Sequence, residues 1–180
     1  MKKLLLVGLR YHDYTAAIID EISRLGYEVT YHEIQPRTLY LKTLKVVSTQ
    51  AWQASLDEHH RQILQGESGT RYDCVLFIQA HQFSRDNMRA LREPQRRARF
   101  VVYNWDSIAT HDYRPHLDCF DQVYTFDPDD AASLGVATHH EPRNILQKQQ
   151  RHAALIAELD EVRAFGCRLA EEHPVVGDDA

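Results

Sequence analysis

The sequence predicts an α/β fold, a parallel sheet of five or six strands with helices on both faces, followed by an amphipathic helix. Three observations predict it. Short apolar runs alternate with stretches of helical periodicity, the rhythm of a parallel sheet covered by helices. Two of those runs, Cys74 to Ile78 and residues 100–103, are apolar throughout, as strands buried on both faces are. Glycines at 26 and 135 fall where periodic stretches end.

The first strand is expected over residues 3–9. A polar and aromatic turn leads into a helix in which Ile18, Ile22 and Leu25 recur at helical spacing, closed by Gly26. Tyr27, Val29 and Tyr31 then alternate, as a half-buried strand does. Residues 39–65 read as one long helix with Trp52, Leu56 and Ile63 on a shared face, broken over 66–69. Between the two fully apolar strands a helix begins at Ser84, which can cap it. A fifth strand over 122–126 runs into Asp127-Pro128-Asp129-Asp130. That tetrad joins a capping Asp, a Pro at the first helical position and carboxylates against the positive helix end. Gly135 closes this short helix, and residues 136–142 form a short strand or a linker. Beyond them Leu155, Leu159, Val162 and Leu169 mark an amphipathic helix. The domain boundaries follow: a Rossmann-like domain over 1–142, a helical extension over 143–174 and a frayed tail over 175–180.

Composition narrows the class. The 180 residues suit one domain with a sizeable core, and 43% hydrophobic with 26% charged residues is ordinary for a folded soluble chain. A net charge of -5 gives no overall reason to bind nucleic acid. Cys74, Cys119 and Cys167 are scattered with no CxxC pair, which argues for a reducing compartment and against a zinc knuckle. The apolar start is interrupted at Gly8 and Arg10, too short for a signal peptide, and no run approaches a membrane span. A cytoplasmic protein is expected, with a peripheral place at the inner membrane surface as the alternative.

In an open parallel sheet, ligands sit beyond the carboxyl ends of the strands, where the strand order reverses. With order 3-2-1-4-5, that crevice lies between the loops after the first and fourth strands. These read Arg10-Tyr11-His12-Asp13-Tyr14-Thr15 and Asn104-Trp105-Asp106-Ser107, rich in aromatic, ionisable and hydrogen-bonding groups. Each has a plainer alternative. Asp106 and Ser107 suit a helix cap, Trp105 a core anchor, and His12 with Asp13 a solvated turn; Asp127, Asp129 and Asp130 fit capping best.

Sharper motifs are missing. The first turn holds only Gly8, so neither GxGxxG nor a P-loop is present. A phosphoacceptor receiver requires acidic residues after the first strand and an Asp ending the third; Leu9-Arg10 and Ile78-Gln79 stand there. Eleven histidines raise the question of a metal, but His59-His60 and His139-His140 are adjacent pairs, whose members point to different sides of a regular element. No metal and no other cofactor is expected. Arg89, Arg92, Arg96, Arg97 and Arg99 form a basic stretch, read as a solvated helix end or a phosphate or membrane contact.

Three segments carry a family resemblance. Residues 3–15, the run Arg99-Phe100-Val101-Val102-Tyr103-Asn104-Trp105-Asp106-Ser107-Ile108, and Phe120-Asp121-Gln122-Val123-Tyr124-Thr125-Phe126-Asp127-Pro128-Asp129-Asp130 resemble bacterial lipopolysaccharide-biosynthesis and CgeB-like glycosyltransferases over residues 1–135. The resemblance implies the N-terminal, acceptor-side domain of a two-domain (GT-B) enzyme, without its donor domain. It implies a glycan or lipid-linked acceptor and a nucleotide-sugar held by a missing or partner domain. In that reading Asp106, then Asp13 or His12, takes the acceptor proton, and Arg10, Tyr11, Trp105, Ser107 and Asp127 contact substrate. The alternative is a non-catalytic binding or assembly module, oligomerising through its C-terminal helix.

Overall fold

The computed structural model describes residues 1–10 and 12–138. Six parallel strands form one sheet: β1 (Lys2–Gly8), β2 (Tyr27–Glu33), β3 (Cys74–Ile78), β4 (Arg99–Asn104), β5 (Gln122–Thr125) and the two-residue β6 (Ala137–Thr138), in the order β2-β1-β3-β4-β5-β6. Helices α1 (His12–Arg24), α2 (Leu39–Val47), α3 (Thr49–Glu67), α4 (Arg85–Arg92) and α5 (Pro128–Leu134) connect them, with a 3-10 helix at Arg114–Cys119 before β5. The expected α/β class and strand count are borne out. The expected C-terminal helix over 143–174 and the tail over 175–180 lie outside the described residues, as does the boundary at 142.

The chain lays β2 on one side of β1 and then returns past β1 to place β3 on the other. Right-handed crossovers therefore put α1 and α3 on opposite faces. The core divides accordingly. On one face Ile18 and Ile22 of α1 pack on Leu4, Leu6, Leu76 and Val101. On the other, Met88 and Leu91 of α4 pack with Phe83 on Leu5, Val7, Phe77 and Phe100. This alternation within β1 is the period of two that a doubly covered strand requires. Every residue of β3 is buried, as its uniform apolarity predicts.

Strand order corrects the sequence expectation of 3-2-1-4-5. Here β3 lies between β1 and β4, pairing with both, so the first and fourth strands are not neighbours. The cause is burial. A strand without a polar residue gains most at the centre, whereas Tyr27–Glu33, partly exposed along its whole length, suits an edge.

A second difference is the break in the long helix. Ser48 is extended (φ -155°, ψ 108°), and its hydroxyl accepts from the N–H of Ala51 at 3.2 Å, starting α3 afresh. Trp52 and Leu56 of α3 then bury Leu41 of α2. Other helix ends follow expectation: Ser84 caps α4, and Gly135 closes α5 at φ 64°. Asp127 caps α5, accepting from the N–H groups of Asp129 and Asp130. Cys74 and Cys119 are free and buried, and burial pushes the Cys74 thiol up to about 12, so it acts as a small hydrophobe.

Candidate functional site at the carboxyl end of the sheet

The order β2-β1-β3 places the reversal point between β1 and β3, and ligands of such sheets sit beyond the carboxyl ends of the strands there. Gly8 ends β1 at this point. A Cβ on it would meet Cβ of Ile78 at 3.1 Å, so any larger residue would push β1 and β3 apart by a few tenths of an ångström. Its carbonyl accepts from the N–H of Ile34 at 2.9 Å, tying the end of β2 to the same rim.

Gln79 follows β3. It has φ 62°, the one positive φ at a non-glycine among the described residues, a conformation that costs an ordinary side chain about 1–2 kcal/mol. Its N–H donates to the carbonyl of Tyr103 at 3.0 Å, so the turn is fixed to β4. The side chain is 3% exposed, and its Nε2 donates to Oδ2 of Asp106 in the loop after β4. Asp106 itself stays 38% exposed, with Nε2 of His111 3.7 Å from the same oxygen.

His81 lies on the neighbouring turn. Its ring stacks on His111 with centroids 4.0 Å apart and planes 11° from parallel. Burial, then the proximity of His111, lowers His81 to about 4, so it is neutral at physiological pH. The loop after β4 is held from β5's side: Oδ2 of Asp130 accepts from the N–H of Ile108 at 2.7 Å and from the Tyr113 hydroxyl at 3.0 Å. Burial, with Asp130 as a further cause, pushes the Tyr113 hydroxyl up to about 12, which keeps it a donor.

Not every expected site residue meets the others. Trp105 does reach the segment after β1, although β3 separates the two strands, whereas Asp106 meets Gln79 after β3. Trp105 meets the ring of Tyr14 edge-on at 5.2 Å and packs half-buried against the α1 face of the core. Its core-anchor role is therefore real. Asp106 and Ser107 cap no helix; the Ser107 carbonyl accepts from the N–H groups of Thr110 and His111, both at 2.9 Å, in a turn. Arg10 is exposed at the rim. Tyr11 and the side chains of His12 and Asp13 lie outside the described residues. Asp127 faces its own helix, its Oδ1 occupied by the Asp129 and Asp130 N–H groups at 2.9 and 3.3 Å.

Sequence reasoning missed Gln79, His81 and Asp130. The first left a signal, a polar residue directly after a wholly apolar central strand. Among the described residues, no group of three His, Cys, Asp or Glu could hold a metal ion.

No protein-family model matches the chain, and no curated protein matches it. Solved structures do. A response regulator from Burkholderia pseudomallei with a phosphorylated aspartic acid, calcium ion and citrate is 16% identical, covering 98% of this chain and 78% of that one, with a TM-score of 0.43. A chain from the complex of histidine kinase ThkA with response regulator TrrA is 14% identical, covering 75% of this chain and 96% of its own, at 0.40. A response regulator in red light signalling of R. palustris is 16% identical over 86% of this chain and 91% of its own, at 0.37. These findings correct the glycosyltransferase expectation: these three structures are of signalling proteins and not of sugar-transfer enzymes. The glycan or lipid-linked acceptor and the nucleotide-sugar donor expected as partners fall with it. At these identities and TM-scores the likeness assigns this chain no activity of its own.

Proposed function

We propose that the carboxyl-end crevice of this chain binds a small ligand bearing a cationic or N–H-rich group. The observation that carries this reading is the strained Gln79 turn aimed at Asp106. An outlier backbone maintained at a reversal point marks a site held for use. Here what it holds is one oxygen of a half-exposed carboxylate. With His81 neutral at physiological pH, no charge on that ring offsets the Asp106 carboxylate. Cations are favoured there and free phosphates disfavoured.

The same geometry argues against a phosphoacceptor. An amide stands at the end of β3, and an amide nitrogen cannot take a phosphoryl group as a carboxylate does. Incubation with acetyl phosphate and magnesium is expected to leave the intact mass unchanged. A phosphate adduct would overturn this statement.

Thermal-shift and calorimetric titration with agmatine, spermidine and arginine tests the binding reading. At least one is expected to bind, and Asp106→Asn, which keeps shape and removes charge, is expected to weaken it at least about tenfold. Equal binding by the variant, or no binding of any cation, would sink the proposal. The two buried free cysteines are in keeping with a reducing, cytoplasmic setting. No helix among the described residues is long and apolar enough to cross a membrane.

A further inference from the structure

The opposite end of the sheet has the reverse polarity. Tyr72 and Asp73 directly precede β3, and Ala98 directly precedes β4, so the loops there lie about 20 Å from the Asp106 crevice, the length of the intervening strand. Between these loops is a cavity of about 570 Å3, within the range of small-molecule sites. Arg71, Arg96 and Arg97 line it, with Asp73 and Glu93. A second hollow of about 380 Å3 adjoins it, sharing Asp73 and lined by Lys2.

The cavity wall is built rather than incidental. Gln95 is 2% exposed, and its side chain fastens one loop to the other. Its Oε1 accepts from the N–H of Tyr72 at 3.0 Å, and its Nε2 donates to the carbonyl of Thr70 at 2.6 Å. The N–H of Arg99 donates to the carbonyl of Asp73 at 3.0 Å, closing the base. A buried amide satisfied on both sides holds the two loops at one spacing.

The acidic groups offset the basic ones only in part, two carboxylates against three guanidinium groups. Oδ2 of Asp73 accepts from the N–H of Lys3 at 2.7 Å and is occupied by the strand. Glu93 meets Arg96 only at 3.6 Å, with both side chains more than 70% exposed, a pair of little worth that opens readily. Arg97 has no acidic partner among the described residues. By contrast Arg92, of the same basic stretch, is spent: it donates to the Cys119 carbonyl at 3.0 Å, pairs with Asp121 and covers the Phe100 ring. Of the five arginines in the stretch, Arg92 is structural, and Arg96 and Arg97 line the cavity.

We infer that this amino-end cavity binds a small di- or triphosphate-bearing molecule, held by the guanidinium groups of Arg71, Arg96 and Arg97. Guanidinium forks match phosphate oxygens two at a time, and several such groups around a cavity select a polyvalent anion. A cavity of this size, continued by a second with Lys2 beside it, is larger than one phosphate fills.

Calorimetric titration of the full chain with inorganic pyrophosphate and tripolyphosphate tests it. Saturable binding is expected, tighter for tripolyphosphate and weaker as salt rises. The double variant R96A/R97A, at exposed positions that leave the fold intact, is expected to lose about tenfold or more in affinity. Arg61→Ala, an exposed arginine on α3, is expected to change nothing. Absence of binding to both anions, or equal binding by the double variant, overturns the inference. So does sedimentation with phosphatidylserine vesicles that pyrophosphate fails to displace, which would assign these arginines to a membrane surface. None of these outcomes bears on cation binding at Asp106.

Discussion

Replacing Phe77 by alanine is expected to destabilise the protein by about 3–5 kcal/mol, the usual cost of emptying a closed aromatic site. Phe77 is 0% exposed in the central strand β3. Its ring meets Phe83 edge-on at 5.3 Å and Phe120 at 5.7 Å, so the side chain joins the turn after β3 to the entry of β5. Of these neighbours, Phe83 is itself fixed and Phe120 is partly buried. Phe83 is fully buried with its carbonyl accepting from Nε2 of His116 at 2.8 Å, and little can collapse into the void. Against a typical total of roughly 5–15 kcal/mol the loss is large. Urea unfolding is the measurement: the midpoint should fall with the slope unchanged. Val46→Ala, at a side chain 87% exposed, should stay within about 0.5 kcal/mol of the parent. A Phe77→Ala loss below about 1 kcal/mol would mean that β3 is not covered on both faces.

Why the fold could be read from sequence and its strand order could not follows from the same residues. Continuous apolarity in Cys74–Ile78 announces a strand buried on both sides, and Asp127-Pro128 announces a helix start, because both signals are local. Order is a property of the assembled sheet. Even so, a clue existed: Tyr27–Glu33, with its charged and aromatic alternation, suited an edge and left the centre to β3. The division of α2 from α3 was legible only in part. Apolar periodicity runs on through the junction, yet Val46-Val47 followed by Ser48-Thr49 places β-branched residues of lower helix propensity beside a capping hydroxyl.

The candidate site was half legible. Proximity of the segments after β1 and β4 survives through the Tyr14–Trp105 contact, although the strand adjacency assumed for it does not. The positive φ of Gln79 has no sequence signature, since glycine or asparagine would ordinarily stand there. Asp130 looked like a helix-start acid. In the fold its carboxylate turns away from its own helix to hold the loop bearing Asp106, a role that depends on β4 and β5 lying side by side.

Mild acid is expected to destabilise the protein before its carboxylates titrate, and three histidines are the cause. Burial lowers His60, His81 and His116 below the ordinary 6.5. His60 is 0% exposed and donates from Nε2 to the Ile34 carbonyl at 2.8 Å, a bond that only partly offsets the burial. A depressed folded value means that the unfolded chain binds these protons first. Stability is therefore full above about pH 7 and falls as pH drops below 6.5, and the His81 part of the loss ends near its folded value of about 4. For His81 alone the full shift corresponds to roughly 3 kcal/mol, which partial solvent access cuts to roughly 1.5 kcal/mol. Carboxylates act lower. In Glu67 burial acts upward, but hydrogen bonds from Tyr72 and His32 outweigh it; in Asp121 the Arg92 guanidinium and the Phe100 N–H do the same. Both end below the usual carboxylate range, so their contribution is lost only as pH falls beneath about 4.5. Urea midpoints taken from pH 7.5 to 4.5 isolate the histidine window. His60→Gln keeps a donor for the Ile34 carbonyl and cannot titrate, and His81→Gln removes a ring less buried than His60 without touching the core. Each should flatten the fall between pH 6.5 and 4.5, and a slope identical to the parent's in both variants would show that these imidazoles are not held neutral by the fold.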